Sequence, residues 1–226
     1  MVKATWLGHA CWLLEGSATV LLDPFLDDNP KAPCKAADIE GVDVVAITHD
    51  HFDHIADAGP ILQRTGATAV ATYEVANALA STYNATAEGM NIGGSVQVGA
   101  VTLHMTQAFH TAEKGAATGF VVELDGLRIY HTGDTCVFGD MALIGRLLRP
   151  DLLLCPIGDR FTMGPRSAAH AVQLVAPRVA IPMHYNTWPP IEQDPESFRS
   201  LVSETAPDVE VVILEPGGSY TLVPRT

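Results

Sequence analysis

Residues 46–55 of the chain read AITHDHFDHI, which places three histidines and two aspartates directly behind a run of apolar residues. Of the nine histidines in the chain, His49, His51 and His54 fall within six positions. Neutral imidazole and carboxylate are the ligands that zinc and other first-row divalent metals take, so the chemistry to expect here is metal binding. Two histidines at i and i+2 project to the same side where a strand ends. Asp53 and His54 follow as the chain turns into a helix, and they aim at a second point nearby. Four donors exceed what one tetrahedral site takes from so short a loop, and two adjacent metals account for the spacing. Such a pair needs further donors. His110 at the end of VTLHMTQAFH, Asp134 in YHTGDT and His184 in AIPMHYN each stand at the C-terminal end of an apolar run.

These side chains need strand ends to carry them. CWLLEGSATVLLDPF reads as two strands joined at Gly16-Ser17, and VDVVAIT as a short strand covered on both faces. Residues 56–65 and 73–83 have helical character, with ATAVAT between them as a strand. SVQVGAVTLHMTQAFH turns at Gly99-Ala100, and TGFVVELDGLRIYHTGDT forms a hairpin around Asp125-Gly126. Beyond it, helices over 139–148, 165–176 and 195–205 alternate with strands in DLLLCPIG, RVAIPMH, VEVVILEPGG and SYTLV. Strand-rich halves with interspersed helices make an α/β sandwich, two mixed β-sheets packed together with helices outside. No Gly, Ser or Pro linker divides the chain, so residues 1–226 are expected to form a single domain. Both halves begin with hairpins and end in βα units, the pattern a structural duplication would leave.

Composition narrows the partners. With 47% apolar residues among 226, the chain can fill a sizeable core. Thirteen basic against twenty-six acidic residues give a formal charge of −13 with no basic cluster, which disfavours a nucleic-acid partner. No stretch approaches the ~20 apolar residues of a membrane span, and MVKATWLGHACWLLEG lacks the h-region of a secretory leader. Four cysteines, Cys11, Cys34, Cys136 and Cys155, stand without a CxxC pair, which suits a reducing, cytoplasmic compartment. The expected partner is a small-molecule substrate, with neither nucleic acid nor membrane, and the chain leaves room for a homo-oligomer.

THDHFDH, His110, TGDT and PMHYN together resemble the metallo-β-lactamase superfamily, whose signature is HxHxDH followed by a distant His, Asp and His. More narrowly, WLGHACWLLEG, LLDPFL, NIGG, GDTCVFGDM, PIGDRFTMGP and IPMHYNTWPPIEQDP look like a branch of small cytoplasmic metal-dependent hydrolases similar to the ascorbate-6-phosphate lactonase group. The resemblance implies an αββα sandwich with helices on the outer faces. It implies that His49, His51 and His110 hold a first metal, that Asp53, His54 and His184 hold a second, and that Asp134 bridges both. It makes Asp23, in LLDP, a group that orients a ligand histidine, and it places His9, in LGHA, near the site. Asp50 and Phe52 stand where many relatives carry small residues, which puts a charge and an aromatic ring beside the mouth.

The cofactor expected is two divalent ions per chain, zinc first, with manganese or iron as alternatives. A water shared by two such cations loses its proton near neutral pH and attacks a carbonyl or phosphoryl centre. Asp53 and His9 are candidate catalytic groups, and Tyr185, directly after a ligand, could donate to a substrate oxygen. Arg160, in a loop between strand and helix, is a candidate for an anionic substrate group. His104, His131 and His170 are expected to lie outside the ligand set. The reading is a metal-dependent hydrolase of a small ester-like substrate, a lactone, phosphodiester or cyclic ester. A non-catalytic binding or sensing protein on the same fold and a nucleic-acid-processing nuclease are the alternatives.

Overall fold

The computed structural model describes residues 1–224. Alternation in VKATW builds the first strand, β1 (Val2–Trp6), whose Val2, Ala4 and Trp6 point into the core. β2 (Trp12–Glu15) and β3 (Thr19–Leu22) form the hairpin expected around Gly16-Ser17, and β4 (Val44–Ala46) is fully buried. The next stretch folds as two helices, α1 (Phe52–Ile55) and α2 (Ala58–Thr65), before β5 (Thr68–Thr72), α3 (Tyr73–Tyr83) and β6 (Ala87–Met90). The helix expected over 56–65 forms as α2 and begins after Asp57, whose carboxylate accepts from the backbone N–H groups of Leu26 and Asp27 at 2.6 and 3.1 Å. The second half runs through β7 (Ser95–Val98), β8 (Val101–Gln107), β9 (Thr118–Leu124) and β10 (Leu127–His131). It continues with α4 (Met141–Leu148), β11 (Leu152–Pro156), α5 (Pro165–Val175), β12 (Val179–Met183), α6 (Pro195–Thr205), β13 (Glu210–Val211) and β14 (Ser219–Leu222).

The strands form two seven-stranded mixed sheets, ordered β14-β1-β2-β3-β4-β5-β6 and β13-β12-β11-β10-β9-β8-β7. In the first, β1, β2 and β3 pair antiparallel and lead into the parallel β4, β5 and β6. The second repeats the plan, with antiparallel β8, β9 and β10 leading into parallel β11, β12 and β13. An antiparallel edge strand closes each, β14 beside β1 and β7 beside β8. The two halves therefore share one strand plan, as a duplication would require.

Period-2 burial explains why both faces of the first sheet are covered. Val20, Leu22, Val44, Ala46 and Val70 join the core shared with the second sheet, whereas Leu21, Val45, Ala69 and Ala71 pack with Ile61 and Leu62 of α2 and Leu79 of α3. On the second sheet, Ala168 and Val172 of α5 and Phe198 and Val202 of α6 enter the main core. The architecture is the α/β sandwich of the sequence reading. No described helix is long and apolar enough to cross a membrane.

Where β10 ends, Gly133 adopts φ +62°, and a Cβ there would collide with the backbone carbonyl of Thr118 and crowd the Thr48 side chain. Only glycine lets the chain pass beneath the start of β9 and deliver residue 134 to the rim. Gly133→Ala should destabilise the protein by roughly 1–3 kcal/mol, read as a lowered midpoint in chemical denaturation. Gly139, whose Cβ would meet nothing within 4 Å and whose φ is not positive, provides the control.

Candidate metal centre

Strand direction brings the polar groups to one place. Because β1 is antiparallel to β2 and β2 to β3, strands β1, β3 and β4 run the same way, and so do β8, β10 and β12 in the other sheet. The C-terminal ends of these six strands lead to His9, Asp23, the 49–54 segment, His110, Asp134 and His184. Three of those exits use a left-handed residue that is not glycine: His9 (φ 54°), Asp23 (φ 45°) and His184 (φ 53°). Each such residue costs about 1–3 kcal/mol, and the surrounding bonds enforce it. The His184 N–H donates to the His9 carbonyl at 2.9 Å, and the Asp23 N–H to the Ala46 carbonyl at 3.0 Å.

Asp23 is fully buried and accepts three hydrogen bonds: from the Thr48 N–H at 2.8 Å, the Thr48 hydroxyl at 2.6 Å and His54 Nδ1 at 2.7 Å. Donating from Nδ1 leaves the His54 Nε2 lone pair free, and it faces Asp134 Oδ1 at 3.4 Å. The Thr48 hydroxyl, already donating to Asp23, accepts from His49 Nδ1 at 3.1 Å, so His49 also presents Nε2. That nitrogen meets His51 Nδ1 at 3.0 Å, and His51 Nδ1 lies 3.3 Å from His110 Nε2. His49, His51 and His110 thus converge, with candidate ligand atoms within 4.8 Å of one another.

The second convergence holds His9, Asp53, His54 and His184, again within 4.8 Å. Asp134 stands between the two: Oδ2 is 3.6 Å from His110 Nε2 and 3.1 Å from His184 Nε2. Asp53 Oδ2 lies 3.8 Å from His184 Nε2 and accepts from His9 Nε2 at 3.0 Å. His9 Nδ1 then accepts a hydrogen bond from the Thr187 hydroxyl at 2.8 Å.

Electrostatics agree with the bonds. Burial, aided by the neighbouring His184, lowers the His9 pKa to about 3, and burial with His54 lowers His49 to about 3, so both rings are neutral. Burial opposes a charge on His54 as well, but the carboxylates of Asp134 and Asp23 overcome it and raise its pKa well above the usual value. Asp134 is the converse: despite burial, His184 and His54 hold it well below the ordinary carboxylate range. Despite burial, the His9 hydrogen bond and the charge of His54 likewise lower Asp53. The centre of the site favours positive charge.

A resident metal can be tested against unpaired atoms. Among the described residues, His54 Nε2, Asp134 Oδ1 and both ring nitrogens of His184 are buried without a hydrogen bond, the 3.1 Å approach of His184 to Asp134 being misaligned for one. Buried polar atoms are ordinarily satisfied, and unpaired acceptors facing a carboxylate call for a cation between them. The donor set is one that divalent metals take. The residues fit the group.

All seven sequence-predicted ligand positions and Asp23 come together here, and His9 joins them. Other expectations change. Tyr185 turns away, its ring stacked on Trp6 at 5.4 Å in a separate cavity, where burial raises its pKa to about 12. Packing against the indole turns it away from the histidine–aspartate cluster. The Arg160 guanidinium lies over the Phe161 ring, 5.5 Å from its centroid, and it is Phe161 that lines the cavity above the cluster. Asp50 lines that cavity too, but its carboxylate accepts from the Glu113 N–H at 2.8 Å, fastening the loop that follows His110. Phe52 is 64% exposed at the mouth, edge-on to Phe25 at 5.7 Å. His131 spends both ring nitrogens on main chain, Nε2 donating to the Ala10 carbonyl at 2.9 Å and Nδ1 accepting from the Gly133 N–H at 3.2 Å. His104 lies 3.8 Å from Glu123, and His170 is exposed on α5. Sequence reasoning missed Thr48, Thr187 and Trp188. Each is adjacent in sequence to, or within four residues of, a ligand position, but only their distant partners reveal a role.

The sandwich and its rim of histidines and aspartates define a metallo-β-lactamase type of protein. The family model of the beta-lactamase superfamily domain matches residues 3–184, and the chain belongs to that superfamily. Within it, the chain is 49% identical over 229 aligned positions to a metal-dependent hydrolase of Archaeoglobus fulgidus, covering 97% of this chain and 98% of that one. A metal-dependent hydrolase of Pyrococcus furiosus is 50% identical over 229 positions, covering 98% and 100%. The structure is similar to that of a metallo hydrolase from Ignicoccus hospitalis, with a TM-score of 0.91, 36% identity and 99% of each chain covered.

Asp23→Asn replaces an acceptor with a donor while three buried donors still face it. The substitution should cost about 1–3 kcal/mol of stability and weaken metal binding roughly 10- to 100-fold. Thermal denaturation and competition with a chelator measure the two effects separately.

Proposed function

We propose that the protein is a dinuclear metal-dependent hydrolase that cleaves a small ester-like bond in a lactone, phosphodiester or cyclic ester. The observation that carries this reading is the set of buried, unpaired atoms of His54, Asp134 and His184 around one point. In this reading His49, His51 and His110 hold one divalent ion, Asp53, His54 and His184 hold the other, and Asp134 reaches both. Zinc is the first choice for such donors, with manganese or iron as alternatives. The names of the relatives, all metal-dependent or metallo hydrolases, support the reaction class.

When bound, divalent cations make a water acidic near neutral pH and offset the negative charge that develops on the substrate oxygen. The chain's own residues do the positioning. Asp23 holds the His54 ring directly and the His49 ring through the Thr48 hydroxyl. His9 fixes one oxygen of Asp53, and Thr187 fixes His9. Hydrolysis itself joins the water oxygen to the acyl or phosphoryl centre, breaks the bond to the leaving oxygen and delivers a proton there. The formal charge of −13 supports a small-molecule substrate over a nucleic acid, and the absence of a CxxC pair supports a cytoplasmic setting.

Elemental analysis of metal-loaded protein should return about two divalent ions per chain. One ion or none would reject the dinuclear reading. Asp134→Asn should lower occupancy at both positions, because a neutral amide is the poorer shared ligand; loss of a single ion would make Asp134 a terminal ligand. Alanine at His49, His51, Asp53 or His54 should cost roughly tenfold or more in metal affinity or activity.

A further inference from the structure

A cavity of about 830 Å³ opens above the cluster, large enough to take a substrate arm well beyond the reacting bond. Its walls are mostly apolar, with Leu79 and Tyr83 of α3 on one side and Trp188 and Ile191 on another. Tyr83 can lie there because residue 59 of α2 is glycine; a Cβ at that position would fall inside the tyrosine ring. Two further aromatic rings, Phe52 and Phe161, line the cavity while 64% and 56% exposed. Rings left so open to water contribute little to the core, and their placement suits an apolar ligand that would cover them.

Charge separates the substrate classes. Neither lysine nor arginine is among the lining residues, whereas Asp50 and Glu113 are. Two cations stand behind its wall and both are already paired there, Lys114 lying 4.0 Å from Asp50 and the Arg160 guanidinium over the Phe161 ring. An anionic group on the distal part of a substrate would meet Glu113 and apolar walls, with the adjacent cations already paired to Asp50 and Phe161. We infer that, within the hydrolase reading on which this rests, the substrate is an uncharged acyl ester or lactone with an apolar arm about the size of a phenylalkyl group, seated against Phe52, Phe161 and Trp188.

The test uses metal-loaded enzyme and two p-nitrophenyl esters that share the reacting bond, one with a 3-phenylpropionyl arm and one with an anionic glutaryl arm. The matching amides, 3-phenylpropionamide and the monoamide of glutaric acid, measure binding by calorimetry without turnover. The phenylpropionyl arm should be preferred by about tenfold or more in kcat/KM and in Kd, the scale of burying one aromatic side chain. Phe161→Ala should shrink the preference to about threefold or less, mainly through KM, with metal content unchanged. Glu113→Gln should improve the glutaryl ester alone. Equal treatment of the two arms, or preference for glutaryl, would overturn the inference even if both esters are hydrolysed. Should neither ester turn over while the amides keep the preference, the hydrolase reading fails and the assignment of the cavity stands.

Discussion

The structure of the rim depends on one buried carboxylate. Asp23 leaves β3 in a left-handed conformation and accepts from the backbone and hydroxyl of Thr48 and from His54. Those three bonds fix the end of β4 against the end of β3, and they set which nitrogen of two different histidines faces the cluster. Through Thr48 the carboxylate governs His49, a member of the three-histidine group; directly it governs His54, a member of the other. One side chain without a free oxygen thus orients a donor on each side of the centre. An ionised group at zero exposure is tolerable because every one of its bonds is charge-assisted or directed at it.

Around that carboxylate the two sheets are stitched together by polar bonds. The Thr48 carbonyl accepts from the N–H and hydroxyl of Thr118 at 3.1 and 2.7 Å, joining β4 to β9. His131 reaches from β10 to the Ala10 carbonyl, and the His184 N–H to the His9 carbonyl. Deeper in, the Trp12 indole N–H points at the Met183 sulfur at 3.3 Å. These links hold donors from opposite sheets within 4.8 Å of one another, a precision that loops resting on a merely apolar core would not reach. They also sustain the left-handed backbone at His9, Asp23 and His184.

The cavity above the centre obeys a different logic. Below, the carboxylates of Asp23 and Asp134 around His54 concentrate a demand for positive charge. Above, aromatic and aliphatic walls border the same point, with the Phe52 and Phe161 rings still open to water. The trio of Phe25, Phe52 and Trp188, with centroids 5.7 to 5.9 Å apart, joins these layers, since Trp188 also packs edge-on against His9 at 4.9 Å.

Much of this was legible in the sequence because it was local. The hairpin at Asp125-Gly126 forms where those residues take positive φ, and α3 spans residues 73–83 as its alanine-rich pattern indicates. The density of HDHFDH identified a metal centre before any coordinate, since four donors in six residues have few other uses. Strands whose pairing came from elsewhere were not legible. β6, reading AEGM, has little strand propensity and forms by pairing with β5, whereas VEVVILEPGG looks like a longer strand than the two residues of β13 that find a partner. For the site, sequence alone determined which residue types were present and that they followed strands. Only the tertiary structure decided which way each side chain turned: Tyr185 stacks on Trp6, Phe161 takes the wall beside a displaced Arg160, and His9 reaches Asp53 across 44 positions of sequence. The physical reason is that ligand identity resides in a side chain's own chemistry, whereas its direction is set by neighbours that the chain brings near only when both sheets have closed.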